Sequence, residues 1–210
     1  QKNFKPPRKL MGIGIGVAGI IEIKTGIIHH SPNLPGLNGF KLRDFLREKF
    51  FWPIVIENDA NAFTLGEGWM GAARGSKNYC GITLGTGVGG GIVVEGNVLH
   101  GAEGMAGEVG HLVINPRGLL CGCGGRGCLE VYASGTGIRR MALDAIVKGK
   151  GEGVLRLAGG IPEKVTPEKV FKAAQSGDVT AKRIFKRMGG YLGLGLVNLV
   201  HLFNPEKIVI

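Results

Sequence analysis

The chain has 210 residues, of which 44% are hydrophobic, and it carries a formal net charge of +10 at pH 7. This apolar content excludes a disordered chain. The sequence contains no run of about eighteen apolar residues, so we do not expect a transmembrane helix. The basic residues are scattered rather than arranged in a stripe, so we do not expect a nucleic-acid-binding surface. The sequence shows no secretory signal, and we expect a cytoplasmic protein.

The first part of the chain predicts strands that alternate with helices. Two prolines after His30 deny ladder hydrogen bonds and therefore predict a loop. Apolar residues recur on one helical face after Lys41, and either Asn58 or Asp59 is placed to cap a helix that follows a buried strand. In chain order we expect strands and a turn over 11–23, a loop over 31–36, a helix over 41–50, a strand over 53–57 and a helix from 58 to about 71.

The composition changes at residues 71–77, and we expect a boundary there between two domains, 1–72 and 73–210. The later helices carry start signals at Thr166 and Asp178. In chain order we expect a hairpin with strands over 79–84 and 91–95 around a turn at 85–90, helices from 134 to 148, from 166 and from 178 to 203, and a strand over 205–210. Because strands repeatedly precede helices, the fold class is predicted to be α/β.

One histidine and three cysteines lie within eighteen residues of a glycine-rich stretch: His111, Cys121, Cys123 and Cys128. One nitrogen and three sulfur donors form a ligand set that zinc accepts in tetrahedral geometry. Four protein ligands leave no open position on the ion, so we expect the zinc to be structural. The alternative is a group of free thiols that lie close together by chance. The fourth cysteine, Cys80, sits in an apolar, strand-like run.

A glycine-rich turn at residues 84–91 lies between two apolar strands. Successive glycine N–H groups can bind an anion, and Thr86 adds a hydroxyl donor. The run lacks the Gly-Lys-Ser/Thr of a Walker loop, and it does not open a helix as a dinucleotide fingerprint does. Because it contains more glycines than a hairpin needs, the run favours a phosphate cradle over a purely structural hairpin.

Asp59 follows a buried strand and begins a helix. In open α/β sheets, ligands bind at the carboxyl ends of the strands. A carboxylate there can act as a general base, because it can take the proton from a sugar hydroxyl that attacks phosphorus. The alternative is a helix N-cap, a role worth about 1 kcal/mol. The residues alone leave both interpretations open.

Taken in order, these residues resemble the ROK family (repressors, open reading frames and kinases), which contains bacterial glucokinases and other sugar kinases. The motifs that carry the resemblance are 57–62 (ENDANA), 84–91 (LGTGVGGG), 107–111 (GEVGH) and 121–130 (CGCGGRGCLE), and residues 31–36 add a likeness to glucokinase-type members. The resemblance extends from about Met11 to the end of the chain. It implies the actin-like, ribonuclease-H-like fold of a two-domain sugar kinase, in which ATP and sugar meet in a cleft between the domains.

The resemblance also implies a role for each motif residue. Asp59 is implied to be the base that deprotonates the sugar 6-hydroxyl, with Asn58 holding the sugar beside it. His111 is implied to bind zinc through one ring nitrogen and sugar through the other. The further implied contacts are Gly19, Asn33, Glu108 and Glu130 on the sugar, and Thr86 and Gly87 on the phosphates of ATP, which magnesium accompanies.

Two elements of the family kinases are missing from this sequence. No Asp-x-Gly-Gly-Thr phosphate loop precedes Met11, and no glycine-rich adenosine-binding turn follows Ile210. We therefore expect a fragment of a longer kinase that has little or no turnover by itself. We expect the full-length protein to be a homo-oligomer, either a dimer or a tetramer.

The resemblance leaves alternatives for function and for substrate. A ROK transcriptional repressor would carry a DNA-binding domain before residue 1 and would sense a sugar without catalysis. The basic charge favours the repressor slightly, whereas the intact glycine-rich turn together with Asp59 favours the kinase. Among hexoses, glucose leads, ahead of fructose, mannose and N-acetylated hexosamines, and the phosphate donor is ATP or polyphosphate.

Overall fold

The structure is a computed structural model that describes residues 10–31 and 33–210. The chain divides into two compact units. Among the described residues, the first contains those up to Gly81 together with Gly91–Gly107 and Val209, and the second contains Ile82–Gly90, Glu108–Ile208 and Ile210. This division falls inside the glycine-rich hairpin, while the domain boundary expected between residues 72 and 73 stays a prediction.

The first unit is built from short strands and two helices. Its elements are β1 (Ile13–Val17), β2 (Ile20–Glu22), β3 (Ile27–His30), β4 (Phe40–Lys41), α1 (Leu42–Arg47), β5 (Ile54–Asn58) and α2 (Asp59–Met70). Strands β1 and β5 are parallel, and β2, β3 and β4 form an antiparallel sheet. Ile54 and Ile56 are buried while Val55 between them is exposed, the period of two expected for a strand with one covered face. The two isoleucines pack against Ile21 and Ile28, and this core holds the end of β5, where α2 begins.

A hairpin follows α2 and contributes residues to both units. Strands β6 (Tyr79–Leu84), β7 (Val88–Val94), β8 (Asn97–Val98) and β9 (Lys207–Val209) form one sheet in the order β8-β7-β6-β9. The turn predicted over 85–90 and the return strand predicted over 91–95 are wrong in extent, because β7 already begins at Val88. The turn itself is confined to residues 85–87.

Two of the hairpin glycines make room for a helix. Thr64 of α2 is fully buried, and a Cβ at either Gly81 or Gly91 would overlap its side chain. The Thr64 hydroxyl donates to the carbonyl oxygen of Ala60 at 2.8 Å and is therefore satisfied within its own helix. The glycine excess that favours a phosphate cradle in the sequence thus has, at Gly91, a packing explanation instead.

The second unit packs helices around a core of small and branched side chains. Within the described residues its α-helices are α3 (Glu130–Ala133), α4 (Gly135–Val147), α5 (Glu152–Leu157), α6 (Pro167–Gln175) and α7 (Val179–Phe203). The core includes Ile138, Ala142, Val154, Val165, Val170, Ala173 and Ile184. As predicted, Thr166 and Asp178 cap α6 and α7, by accepting hydrogen bonds from the N–H groups of Lys169 and Ala181. Among the helices of the described residues, none combines the length and the apolar character needed to cross a bilayer.

The strongly patterned elements of the sequence are confirmed, and the short ones were missed. The prediction contains neither β3 and β4 nor α3 and α5, each of which has six residues or fewer. The helix predicted over 41–50 is wrong in extent, because α1 ends at Arg47. The N–H of Lys49 donates to the carbonyl of Leu46, an i→i−3 bond that tightens the last turn and ends the helix.

Candidate functional site

Asn58, and not Asp59, caps α2. The side-chain oxygen of Asn58 accepts hydrogen bonds from the N–H groups of Ala60 at 2.9 Å and Asn61 at 3.1 Å. Asp59 is the first residue of the helix, and its carboxylate is exposed and accepts from the neighbouring Ala60 N–H at 3.0 Å. Since the capping role is already filled, the structure removes the N-cap alternative for Asp59 and leaves its carboxylate facing solvent.

Gly19 and Asn58 lie side by side. The Asn58 amide donates to the carbonyl oxygen of Gly19 at 3.1 Å. Gly19 has a φ of +128°, and a Cβ there would overlap the carbonyl oxygen of His30. The glycine is therefore required by its own backbone and by the adjacent strand. The side chain of Asn58 holds three hydrogen bonds within the protein and has one amide N–H left for a ligand.

Asn33, a predicted sugar contact in the first unit, is not hydrogen-bonded, in the described part of the chain, to the other predicted sugar contacts of that unit. It is exposed in the turn before a short 3-10 helix, Pro35–Leu37. Within the described residues, no hydrogen bond joins Asn33 to Gly19, Asn58 or Asp59. The neighbouring Pro32, which belongs to the predicted loop over 31–36, lies outside the described residues.

Glu57 is a residue of the site that the sequence reasoning missed. One carboxylate oxygen accepts from the Asn58 N–H at 2.9 Å and from the Asn61 amide at 3.0 Å, and the other contacts His100 Nε2 at 2.8 Å. The only signal in the sequence is that Glu57 begins the motif that contains Asp59. No pattern points to His100, which lies 43 residues further along the chain.

In the second unit, His111, Cys121, Cys123 and Cys128 converge as predicted. Their four donor atoms lie within 4.8 Å of one another. The Sγ atoms of Cys123 and Cys128 are 3.7 Å apart, and Cys121 Sγ is 3.7 Å from His111 Nδ1. Two thiolates bound tetrahedrally to one zinc at about 2.3 Å are about 3.8 Å apart, so the donors fit such an ion.

The backbone of this segment bends so that the sulfur atoms meet. The Cys121 N–H donates to the carbonyl oxygen of Gly125 at 2.8 Å, and the Gly124 N–H donates to the carbonyl oxygen of Cys121 at 3.0 Å. These two bonds close a tight turn between the second and the fourth ligand. We name the whole segment, residues 108–130, the cysteine loop.

The thiols of the cluster differ in acidity. A backbone hydrogen bond from Gly125 lowers the pKa of Cys123, whereas burial raises the pKa of Cys128 to about 12. A buried thiol of this kind stays protonated at neutral pH when only protein atoms surround it. Metal binding requires the thiolate, so binding at this cluster would release protons.

His111 has its two ring nitrogens in different surroundings. Nδ1 faces the cysteine cluster, and Nε2 lies 3.9 Å from the carboxylate of Glu108. The side chains of His111 and Glu108 are 35% and 45% exposed, so both are open to a ligand. The geometry is the one needed if one ring nitrogen binds a metal and the other meets a polar ligand.

The turn at residues 85–87 presents donors rather than acceptors. Its carbonyl groups are engaged, because Gly135 N–H donates to Gly85 O and the Thr136 hydroxyl donates to Thr86 O, both at 2.8 Å. Among the described residues, no acceptor is recorded for the N–H groups of Thr86 and Gly87 or for the Thr86 hydroxyl. An exposed turn with unused N–H and O–H donors is suited to an anion.

Glu130 joins the cysteine loop to this turn. Its carboxylate accepts from the Val88 N–H at 3.0 Å, and a Cβ at Gly87 would overlap the same carboxylate. One oxygen of Glu130 is therefore used in holding the turn, and Gly87 is small because Glu130 lies against it. The predicted role of Glu130 as a sugar ligand stays a prediction for the remaining oxygen.

The comparisons with known proteins agree with these motifs. The ROK family matches residues 2–210. The chain belongs to the ROK family. The glucokinase of Halalkalibacterium halodurans is 47% identical over 209 residues, which are 99% of this chain and 63% of that protein. The xylose repressor of Caldicellulosiruptor bescii is 37% identical over 212 residues, which are 100% of this chain and 52% of that protein.

Solved structures show which fold this ROK chain has. A ROK family glucokinase from Streptomyces griseus in complex with glucose and AMPPNP superposes with a TM-score of 0.84 at 36% identity, covering 95% of this chain and 64% of that one. The fold is thus the actin-like ATPase fold of the ROK sugar kinases, as predicted. This chain spans less than two thirds of the length of each of these relatives. Because they include both kinases and a repressor, family membership alone does not separate catalysis from regulation.

Proposed function

We propose that the full-length protein transfers a phosphoryl group from ATP to the 6-hydroxyl of a hexose, with glucose the leading substrate. The observation that carries the proposal is the exposed carboxylate of Asp59, which begins α2 without capping it. An exposed carboxylate at the end of a parallel strand that does not serve as the helix cap is available for chemistry. The likeness to glucokinases supports the same conclusion.

In this proposal Asp59 is the general base. Its carboxylate takes the proton of the sugar hydroxyl as the hydroxyl oxygen attacks the γ-phosphorus, and the bond from that phosphorus to the β,γ-bridging oxygen breaks. Asn58 positions the sugar with its remaining amide N–H, and Gly19 brings its backbone close to the sugar. Asn33 is a further proposed contact. Charge on the transferring group is offset by magnesium, which accompanies ATP.

The second unit supplies the other proposed contacts. Glu108, His111 and Glu130 hydrogen-bond the remaining sugar hydroxyls, and the turn donors of Thr86 and Gly87 bind the phosphates. The four donors of the cysteine cluster fit a structural zinc, which when bound supplies a fixed positive charge that orders the loop and the His111 ring. His111 then presents Nε2 to the sugar.

A second candidate function is that of a sugar-responsive transcriptional repressor. It is favoured by the 37% identity to a xylose repressor and by the net charge of +10. The unused donors at Thr86 and Gly87 favour the kinase, because a repressor that binds only sugar needs no phosphate site. The two candidates predict different segments before residue 1, a helix-turn-helix for the repressor and an Asp-x-Gly-Gly-Thr loop for the kinase.

The test is a panel of hexoses offered to the full-length protein with ATP and magnesium, with formation of sugar 6-phosphate as the readout. We expect glucose to give the highest kcat/KM. A parallel arm replaces ATP with polyphosphate to identify the phosphate donor. Absence of phosphorylation with every hexose and both donors, together with sugar-dependent binding to DNA, would overturn the kinase proposal. A cytoplasmic location and a dimeric or tetrameric assembly stay predictions, to be measured by fractionation and light scattering.

A further inference from the structure

We propose that His100 and Glu57 are positioning residues that hold the start of α2, and with it the base Asp59, in its reactive place. The proposal rests on the proposed kinase function and extends it to a side chain from a separate segment of the chain. Within the described residues, no hydrogen bond joins His100 or Glu57 to the carboxylate of Asp59. Both act on the backbone and the cap that surround it.

The first step of the argument is the environment of Glu57. Its side chain is only 13% exposed, and its carboxylate receives three hydrogen bonds, from Asn58 N–H, the Asn61 amide and His100 Nε2. Within residues 10–31 and 33–210, no lysine or arginine forms an ion pair with it. A carboxylate this enclosed depends on all three donors, so loss of one weakens the hold on the other two.

The second step concerns what Glu57 holds. Asn61 is 2% exposed, and its side-chain oxygen has no hydrogen-bond partner in the described chain. The bond to Glu57 is therefore what orients the Asn61 amide, because a flipped amide would bring two oxygens together. Glu57 thus accepts hydrogen bonds from the residues on both sides of Asp59, from the backbone N–H of Asn58 and from the side-chain amide of Asn61.

The third step concerns His100, which lies in the loop after β8. Its Nε2 must carry the proton in the bond to Glu57, because a carboxylate only accepts. The carbonyl oxygen of His100 accepts from the Ala106 N–H at 3.0 Å, which closes the loop on itself. The ring is 32% exposed, so it is also restrained by its neighbours. The loop runs to Gly107, which directly precedes the predicted sugar contact Glu108 in the sequence.

A second pair in the same unit shows what an ordinary surface contact looks like. His29 Nε2 lies 3.4 Å from Glu22, and the side chains are 55% and 42% exposed. Among the described hydrogen bonds, neither residue is joined to the cap of α2. An exposed pair of this kind contributes little. The His29–Glu22 pair is therefore a matched control for the His100–Glu57 pair.

The experiment measures kcat and KM for glucose in the full-length protein and in three variants, His100→Ala, His100→Gln and His29→Ala, each with its thermal midpoint. We expect His100→Ala to lower kcat by about 10- to 100-fold, as a misplaced base would, with KM for glucose changed less than about threefold. His100→Gln, which keeps a donor at the same reach, should recover most of kcat. His29→Ala should equal the wild type.

The proposal is overturned if His100→Ala keeps the wild-type kcat, if only KM changes, or if His100→Gln is as impaired as the alanine variant. If His100→Ala does not fold, Asn61→Ala removes the other side-chain donor to Glu57, and the same loss of kcat at constant KM is required of it. Asp59→Asn is run alongside. An inactive wild type, or a fully active Asp59→Asn, contradicts the proposed function itself, whereas an active wild type with a normal His100→Ala contradicts only the positioning role.

Discussion

The start of α2 and the cysteine loop fix polar groups by different means. Asp59 is held by hydrogen bonds, through the cap of Asn58 and the enclosed carboxylate of Glu57. The cysteine loop brings together four metal donors within 4.8 Å of one another. The first arrangement is held by hydrogen bonds between protein atoms, and the donors of the second are suited to an ion.

The two regions are therefore vulnerable to different perturbations. A hydrogen-bonded cap is insensitive to chelators and is broken by substitution of its donors and acceptors. A metal cluster of thiolates and imidazole is lost on chelation or acidification, because its ligands must be deprotonated. The predictions below disturb the two regions one at a time, and a further one concerns a buried thiol that lies outside both.

The largest effect is expected from Asp59→Asn. We expect kcat for glucose phosphorylation to fall by about 10²- to 10⁴-fold, because the amide cannot accept the hydroxyl proton. The matched control is Asp44→Asn, since Asp44 is also an exposed acid in the first turn of a helix of the same unit. Steady-state turnover of the full-length protein measures both. Equal losses in the two variants would point to charge or stability instead of a base.

The next effect is expected from Cys128→Ser, which removes a buried donor of the cluster. We expect zinc content to fall and KM for glucose to rise by about 10- to 100-fold, because His111 loses its fixed orientation. The control is Cys80→Ala, which removes a buried thiol outside the cluster. Metal analysis and steady-state kinetics are the measurements. Unchanged zinc and unchanged KM in Cys128→Ser would remove the metal site from the account.

A smaller effect is expected at Cys80, a buried thiol outside the cluster, on the pH dependence of the free energy of unfolding. Burial raises the pKa of Cys80 from 9.0 to about 11. The folded state therefore binds more protons than the unfolded state between these values, so the stabilising contribution is complete below pH 9 and is lost as pH rises to 11. We expect this loss to be at most about 3 kcal/mol. Denaturant unfolding at pH 8 and pH 11 should show a smaller fall in the free energy of unfolding for Cys80→Ala than for the wild type.

An identical pH dependence in Cys80→Ala and the wild type would assign the alkaline loss to other groups. Burial also raises the pKa of the neighbouring Tyr79, which acts in the same direction in both proteins. The comparison between the two proteins therefore cancels the tyrosine.

The smallest effect is expected at the cap of α2. Asn58→Ala removes the acceptor for two N–H groups and should lower the free energy of unfolding by about 1 kcal/mol, whereas Asn58→Ser keeps a capping oxygen and should lose less. Thermal unfolding in the presence and absence of chelator measures both. If a chelator abolished the difference between the two variants, the two regions would not be independent.

The sequence predicted the parts of the site that are local. The spacing of His111 and the three cysteines indicated a common metal site because the donor types are specific, and the structure brings them together. The starts of α6 and α7 were predictable from Thr166 and Asp178, since a cap acts within one turn of its helix. The ROK family itself was recognisable from such short motifs.

Non-local contacts were beyond what the sequence could predict. His100 is 43 residues from Glu57, and no periodicity joins them. The sequence interpretation assigned Gly91 to a phosphate-binding turn. The structure shows that a glycine is needed there because Thr64, on a different element, packs against it. The choice between Asn58 and Asp59 as the cap also needed coordinates, since both residue types are good caps.

The most direct test of the account is a calorimetric titration of glucose into the full-length Asp59→Asn variant. The account assigns Asp59 to the chemical step, so it predicts a glucose Kd within about threefold of the wild type in a variant that has lost turnover. Loss of glucose binding in parallel with turnover would contradict it, because Asp59 would then hold the sugar or the fold and would not be the base.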